Sequence, residues 1–298
     1  MQQRYFQALG NGSFHRIAYT DWGHVGNPHV VLCVHGLARN SRDFDYLAAA
    51  LTPECRVVCM DVAGRGESEW LDNKSEYTFS TYQNDAAAML ACATAPVGNN
   101  NVERKVDWVG TSMGGLIGLF LAAKKHSPIR RLVLNDVGAL IPWSALFRMK
   151  GYITRGRRFS SEDEVETYLR KVCAPFGPLT DEQWRHMARH GARRDADGSF
   201  ELRYDPAIGE GLHGHIDQEF PIGPDLLRGI DLWNVWSKLE CPTLVLHGAD
   251  SEVLLPATLA EMRSRKPDVE IAEFAGVGHA PALMSEEQIR VVKDFLLR

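Results

Sequence analysis

Val106-Asp107-Trp108-Val109-Gly110-Thr111-Ser112-Met113-Gly114-Gly115-Leu116-Ile117-Gly118-Leu119-Phe120-Leu121-Ala122-Ala123 is the stretch on which the fold turns. An apolar run comes first, then Gly-x-Ser-x-Gly over 110–114, then a good helix former. Strand, sharp turn and helix form the context in which that short pattern carries chemistry. Reversing direction in so few residues forces the central Ser into a strained backbone conformation. Gly110 and Gly114 keep side chains out of the tight crossing. The hydroxyl is thereby pushed clear of the sheet edge at a helix N-terminus, where the Met113 N–H and the helix dipole favour developing negative charge. Ser is also a favoured helix N-cap, so the pattern alone leaves both readings open.

Working outward, Val30 to Val34 and Arg56 to Met60 are further strand-like runs. Continuous apolar runs of this length fit strands buried on both faces, as in a parallel sheet covered by helices. Residues 4–9 and 14–20 read as two strands joined by Gly10-Asn11-Gly12, a hairpin signal. Helix-like segments follow at about Asp43 to Leu51 and Thr81 to Ala93, with a polar loop at Gly98 to Asn101. Leu132 to Leu134 is the next strand. The alternation implies right-handed crossovers and a mostly parallel sheet. It breaks after Asp136. From Gly138 to Trp236 no buried strand is evident, and helix-like patches (Glu162 to Val172, Thr180 to His190) sit between Pro and Gly breaks. Strands resume at Thr243 to His247 and Val269 to Phe274. A last helix follows from Ser285 to Leu297, with Ser285 and Gln288 spaced as a capping box. This predicts an α/β core in two parts, 1–137 and 237–298, interrupted by a helical cap over 138–236.

Composition narrows the classes of partner. In 298 residues, 45% are hydrophobic and 24% charged, as in an ordinary globular protein. Lys and Arg total 33 against 38 acids, a net charge of −5, so neither nucleic acid nor an anionic membrane is an expected partner. No signal-peptide order and no membrane-length apolar run is evident. The six cysteines show no CxxC pair and no metal-ligand spacing, which reads as a reduced, cytoplasmic protein without disulfides.

Taken together these motifs resemble the α/β-hydrolase family over essentially the full chain. They are His35-Gly36 after the third strand, Asp61 to Ser68 after the fourth, Gly110 to Gly114 after the fifth, and Gly278-His279 before the last helix. The resemblance implies an eight-stranded, mostly parallel sheet flanked by helices, with a helical cap after the sixth strand. The sequence supplies eight strand candidates. It also implies a nucleophile, acid and His in that chain order. Ser112 is the expected nucleophile and His279 its base, in a loop whose glycines let the imidazole swing toward the sheet edge. The acid is left open. The family commonly has Asp three or four residues past Gly248 and about four before Pro256. Position 251 is Ser, and Glu252 meets the spacing. Glu252 is the first choice and Asp250 the second. Asp136 is a third, with a plain turn residue as its alternative reading. The N–H groups of Leu37 and Met113 are the expected oxyanion donors. Asp61 to Ser68 reads as a structural loop, His35 and His247 as locally bonded, and His213 and His215 as possible substrate contacts in the insertion.

Such chemistry needs no cofactor, and no phosphate loop, dinucleotide fingerprint or metal motif is evident. The expected activity is hydrolysis of a small or medium carboxylic ester or lactone through an acyl-enzyme. The alternative within enzymes is a C–C bond hydrolase acting on vinylogous diketones from aromatic-ring degradation. From another class, the same fold serves as a small-molecule receptor. The cap aromatics Trp143, Phe147, Trp184 and Trp233 are expected to decide between substrates.

Overall fold

The structure, a computed structural model, describes residues 1–96, 104, 106–153, 156–211, 223–225 and 227–298, with the side chains of 149–153 and 210–211 left aside. His213, His215 and the loop expected at Gly98 to Asn101 fall outside the described residues.

Eight strands form one sheet: β1 (Gln2–Leu9), β2 (Phe14–Trp22), β3 (Val30–Val34), β4 (Arg56–Met60), β5 (Val106–Thr111), β6 (Ile129–Asn135), and, after the insertion, Thr243–Gly248 and Glu270–Phe274. The first two form an antiparallel hairpin, and β2 joins β4 antiparallel. The other strands run parallel. Every residue of β3 and β4 is buried, as a strand covered on both faces requires. Strand β1, at the sheet margin, buries only Ala8. Helices α1 (Asp45–Leu51) and Glu286–Leu296 cover one face, and their apolar stripes meet Val31, Cys33, Val57, Cys59 and Val109 there. Helices α2 (Phe79–Thr94) and α3 (Met113–Ala122) cover the other, over Val30, Leu32, Val58, Trp108 and Leu132.

Between β6 and Thr243 the insertion divides into two regions of different construction. Its two ends pair with each other, β7 (Leu140–Pro142) running antiparallel to Gly229–Asp231, all six residues buried. Leu140, Ile141, Ile230, Trp233 and Trp236 then join the main core. This pairing corrects the expectation that the insertion holds no buried strand. A three-residue ladder is too short to leave a periodic signature.

Helix α4 (Trp143–Ile153) sends Ala145 and Leu146 into the main core, and the other region, α5 (Glu162–Val172) and α6 (Asp181–Gly191), has its own apolar cluster. That cluster comprises Phe159, Val165, Leu169, Cys173, Trp184, Met187, Ala188 and Ala192, closed by Met284 from the core. Sequence explains these two helices well. Ser161 caps α5, three acids fill its first turn and Arg170 and Lys171 its last, matching the helix dipole. Thr180 and Gln183 form a reciprocal capping box on α6. A small antiparallel sheet of Arg158–Phe159, Phe200–Leu202 and Ala192–Arg194 completes the region.

Strand order places the reactive loops. The sheet reads β1-β2-β4-β3-β5-β6 and then the two late strands. From β3 the chain crosses to β4 on one side and returns to β5 on the other. The loops after β3 and β5 therefore leave neighbouring strands in opposite directions. In open parallel sheets this crevice at the carboxyl ends is where ligands bind.

Candidate active site

Ser112 stands at the crest of the turn between β5 and α3 with φ 52° and ψ −114°, a region that a residue with a side chain enters at a cost. Neighbouring chain segments hold it there. A Cβ on Gly110 would come within 2.3 Å of the Gly114 carbonyl oxygen, and one on Gly114 within 2.0 Å of the Val34 carbonyl oxygen. Trp108, fully buried beneath, donates its indole N–H to the Gly114 carbonyl at 3.0 Å. The Ser112 N–H donates to the Asn135 carbonyl at 2.9 Å, which ties the turn to β6. Its side chain makes no cap bond to α3, so the N-cap reading does not describe it.

The Ser112 hydroxyl lies 2.8 Å from His279 Nε2. His279 Nδ1 lies 2.7 Å from Asp136 Oδ2. With a carboxyl acceptor at Nδ1, the ring donates there and presents Nε2 to the hydroxyl. Asp136 is completely buried and follows directly on the last residue of β6, with φ 56°. Its Oδ1 accepts the Gly248 N–H at 2.9 Å and its Oδ2 the Ser251 hydroxyl at 2.5 Å.

The acid expected at Glu252 or Asp250 is thus corrected. Glu252 is two-thirds exposed and pairs with Arg148 at 2.5 Å. Asp250 is exposed, its N–H bonded to the Val277 carbonyl. The structure brings together Ser112, His279 and Asp136, the third choice. The reason is register: the strand Thr243–Gly248 runs parallel beside β6 with Leu246 opposite Asn135, so both strands deliver loops to one edge. The carboxyl comes from the loop after β6, the third of the candidates.

Leu37 and Met113 are both placed at this edge. Their N–H groups make no hydrogen bond to protein among the described residues, so they remain available to an oxyanion. His35, at the base of the first loop, is fully buried, and burial pushes its imidazole down to about 4, so it is neutral. Its Nε2 accepts the Val62 N–H at 3.0 Å and its Nδ1–H donates to the Gly36 carbonyl at 2.7 Å. His247 likewise bonds locally, to Glu273 and the Leu254 carbonyl.

Sequence reasoning passed over Arg65, inside the loop read as structural. Its side chain is completely buried. Nε donates to the Leu37 carbonyl at 2.9 Å, Nη1 to the Ala63 carbonyl at 2.7 Å, and Nη2 reaches the Met113 sulfur at 3.9 Å. The guanidinium therefore touches both residues expected to supply the oxyanion donors, and it lies over the Tyr82 ring at 4.6 Å. No carboxylate pairs with it among the described residues. An Arg flanked by Gly64 and Gly66 was the available signal, since glycines let a backbone fold back over a buried charge.

A cleft of about 190 Å³ opens above Ser112 and His279. Its walls are mostly apolar: Leu37, Phe44 and Met284 from the core, and Tyr168, Leu169, Phe176 and Met187 from the insertion among others. Trp143, Phe147, Trp184 and Trp233 are not among the lining residues, which corrects the expectation for the cap aromatics. Trp184 is buried under Arg170, and Trp233 packs beneath Arg265. Hydroxyl, base, buried acid and paired N–H donors can together take a proton from Ser112, direct its oxygen at a carbonyl and hold the resulting charge.

A profile of the alpha/beta hydrolase family matches residues 31–292. The chain is 40% identical to the 3-hydroxybutyrate-oligomer hydrolase of Cupriavidus necator, covering 98% of this chain and 96% of that protein. It is 23% identical to the 2-(acetamidomethylene)succinate hydrolase of Mesorhizobium japonicum, over 91% and 89% of the two chains. Among solved structures, an alpha/beta hydrolase from Novosphingobium aromaticivorans superposes with a TM-score of 0.82 at 30% identity, covering 99% and 98%.

Proposed function

Because the chain belongs to the alpha/beta hydrolase family, we propose that it is a serine hydrolase cleaving carboxylic esters, with short linear 3-hydroxybutyrate oligomers as the substrate class. The observation that carries this is the continuous relay from Ser112 through His279 to Asp136, at 2.8 and 2.7 Å, opening into an apolar cleft. The Cupriavidus necator relative, similar along nearly the whole of both chains, supports the choice of ester. A narrow apolar cleft suits a flexible chain of methyl-bearing units.

In this reading His279 Nε2 takes the Ser112 proton as the oxygen attacks the ester carbonyl. Asp136 stabilises the imidazolium, and the Leu37 and Met113 N–H groups hold the oxyanion. Collapse of the tetrahedral species breaks the C–O bond, and His279 returns the proton to the departing alcohol. Water, deprotonated by His279, then releases the acid from Ser112.

Fluorophosphonate labelling, with the adduct mapped by mass spectrometry, is expected to modify Ser112. The dimer and trimer of 3-hydroxybutyrate are expected to be cleaved. A vinylogous diketone run beside them tests the C–C alternative, which fast diketone cleavage with feeble ester hydrolysis would favour. Ester hydrolysis no faster than the Ser112→Ala background would overturn the proposal and leave the receptor reading.

A further inference from the structure

Among the described residues that line the cleft, Arg39 and Asp43 are the Arg and Asp side chains. Both follow β3, Arg39 on the loop that also carries Leu37 and Asp43 in the 3-10 turn Ser41–Phe44 just after it. The Arg39 N–H donates to the Gly36 carbonyl at 3.2 Å and closes the turn on which the Leu37 N–H sits. The Arg39 side chain is held by Asp43. Its Nε donates to Asp43 Oδ2 at 2.8 Å and its Nη2 to Asp43 Oδ1 at 2.5 Å.

A guanidinium has five N–H donors. Asp43 takes two, and the remaining three, both of Nη1 among them, have no hydrogen-bond partner among the described residues. The side chain is 13% exposed, and Nη1 is not among the buried polar atoms left without a partner, so it stays reachable from the cleft. A donor open to the cleft can take an acceptor from a bound substrate. Nη1 lies toward Gly191, which also lines the cleft; a Cβ there would sit 3.5 Å from it. With no side chain at 191, Nη1 is left uncovered on that side. Burial opposes the charge on Arg39, but attraction and hydrogen bonding from Asp43 outweigh it, so the guanidinium stays ionised.

We propose that the Arg39–Asp43 pair is a subsite for the oxygen at carbon 3 of the acyl chain, so that the enzyme selects 3-hydroxyacyl esters over plain alkanoates. Asp43 already neutralises Arg39, so the pair has no net charge with which to draw in a carboxylate. A hydroxyl oxygen can accept from Nη1, on the side of the guanidinium away from Asp43. In a longer chain the ester group of the next unit occupies the same place and accepts from Nη1. An acyl carbonyl seated on the Leu37 N–H starts its chain beside the turn that Arg39 closes. This inference rests on the ester-hydrolase reading and narrows the acyl group it takes.

The test compares kcat/KM for ethyl 3-hydroxybutyrate, ethyl butyrate and monoethyl succinate in the full chain. It is repeated in the double variant Arg39→Met/Asp43→Leu, which leaves neither charge unpaired. The wild type is expected to favour the hydroxy ester over butyrate by about tenfold to a hundredfold. In the double variant that ratio is expected to fall to within about threefold of one. Because both rates come from one sample, the ratio is independent of the folded fraction. If the double variant does not fold, Arg39→Lys, which keeps the charge and loses the fork, should lower the ratio at least threefold. A wild-type ratio near one, a ratio that survives these substitutions, or a preference for monoethyl succinate overturns the subsite while leaving ester hydrolysis intact. Failure to cleave any of the three esters above the Ser112→Ala background defeats the ester reading, and the subsite with it.

Discussion

The loop after β6 and the loop after strand Thr243–Gly248 leave adjacent parallel strands at the same edge, yet they do opposite work. The first contributes one residue, Asp136, completely buried and aimed at His279 Nδ1. The second contributes none of its carboxylates. It offers the Gly248 N–H and the Ser251 hydroxyl, and both donate to Asp136. Glu252, the residue with the right spacing, points outward to Arg148. The lesson is that, on the proposed reading, the relay takes its carboxylate from one of two neighbouring strands, here β6. When one supplies the carboxylate, the other becomes its donor set.

The largest effect that could break this contrast comes from neutralising each carboxylate in turn. Asp136→Asn is expected to lower kcat by about 10³ to 10⁴, because an amide no longer stabilises the imidazolium or fixes the productive tautomer. Glu252→Gln and Asp250→Asn are expected to stay within about twofold of wild type, as exposed side chains outside the relay should. Steady-state kinetics on one ester decides it. A large loss in Glu252→Gln with little in Asp136→Asn would reverse the roles of the two loops.

Moving the acid from one strand to the other sharpens the comparison. Ser251 Oγ is 2.5 Å from the same Asp136 oxygen that meets His279, so a carboxylate built at 251 starts within reach of the ring. Asp136→Gly opens the space and suits the positive φ there. Adding Ser251→Asp to Asp136→Gly is expected to restore kcat by about tenfold to a hundredfold over the single variant, short of wild type because the new carboxylate lacks its donors. No gain would mean that the second loop can only support an acid, not hold one.

These expectations also explain which parts of the site could be read in advance. Ser112 was legible because its turn is local: two glycines, a strand and a helix within eighteen residues fix the hydroxyl's direction. His279 was legible because glycines crowd one side of it before the last helix. Asp136 was legible only as a third choice, since its partner loop is more than a hundred residues away and the register of Leu246 against Asn135 exists only in three dimensions. The one local clue was Ser251, a hydroxyl where the family commonly has an acid. Arg65 stayed hidden for the same reason, because its contacts to Leu37 and Met113 link loops that are remote in sequence. The sheet came through because long buried runs announce themselves. The two- and three-residue ladders of the insertion did not, and of the cap aromatics Trp184 packs in the insertion's own cluster and Trp233 in the main core.

The smallest effect probes the supporting loop alone. Ser251 Oγ donates to Asp136 and accepts the N–H groups of Val253 and Leu254, at 3.2 and 3.1 Å. Ser251→Ala therefore removes a donor from the carboxylate and leaves two buried N–H groups short of a partner. Asp136 keeps its bond to Gly248 and its place beside His279, so the relay loosens without breaking. A net loss of about 1 kcal/mol in the transition state corresponds to a roughly fivefold fall in kcat with KM little changed. The orphaned N–H groups should also lower the melting temperature by about 2–4 °C, measured by calorimetry. The two readouts separate the functions of one hydroxyl. A fall in kcat at constant melting temperature would assign it wholly to the carboxylate, and a fall in melting temperature at constant kcat wholly to the turn that carries it.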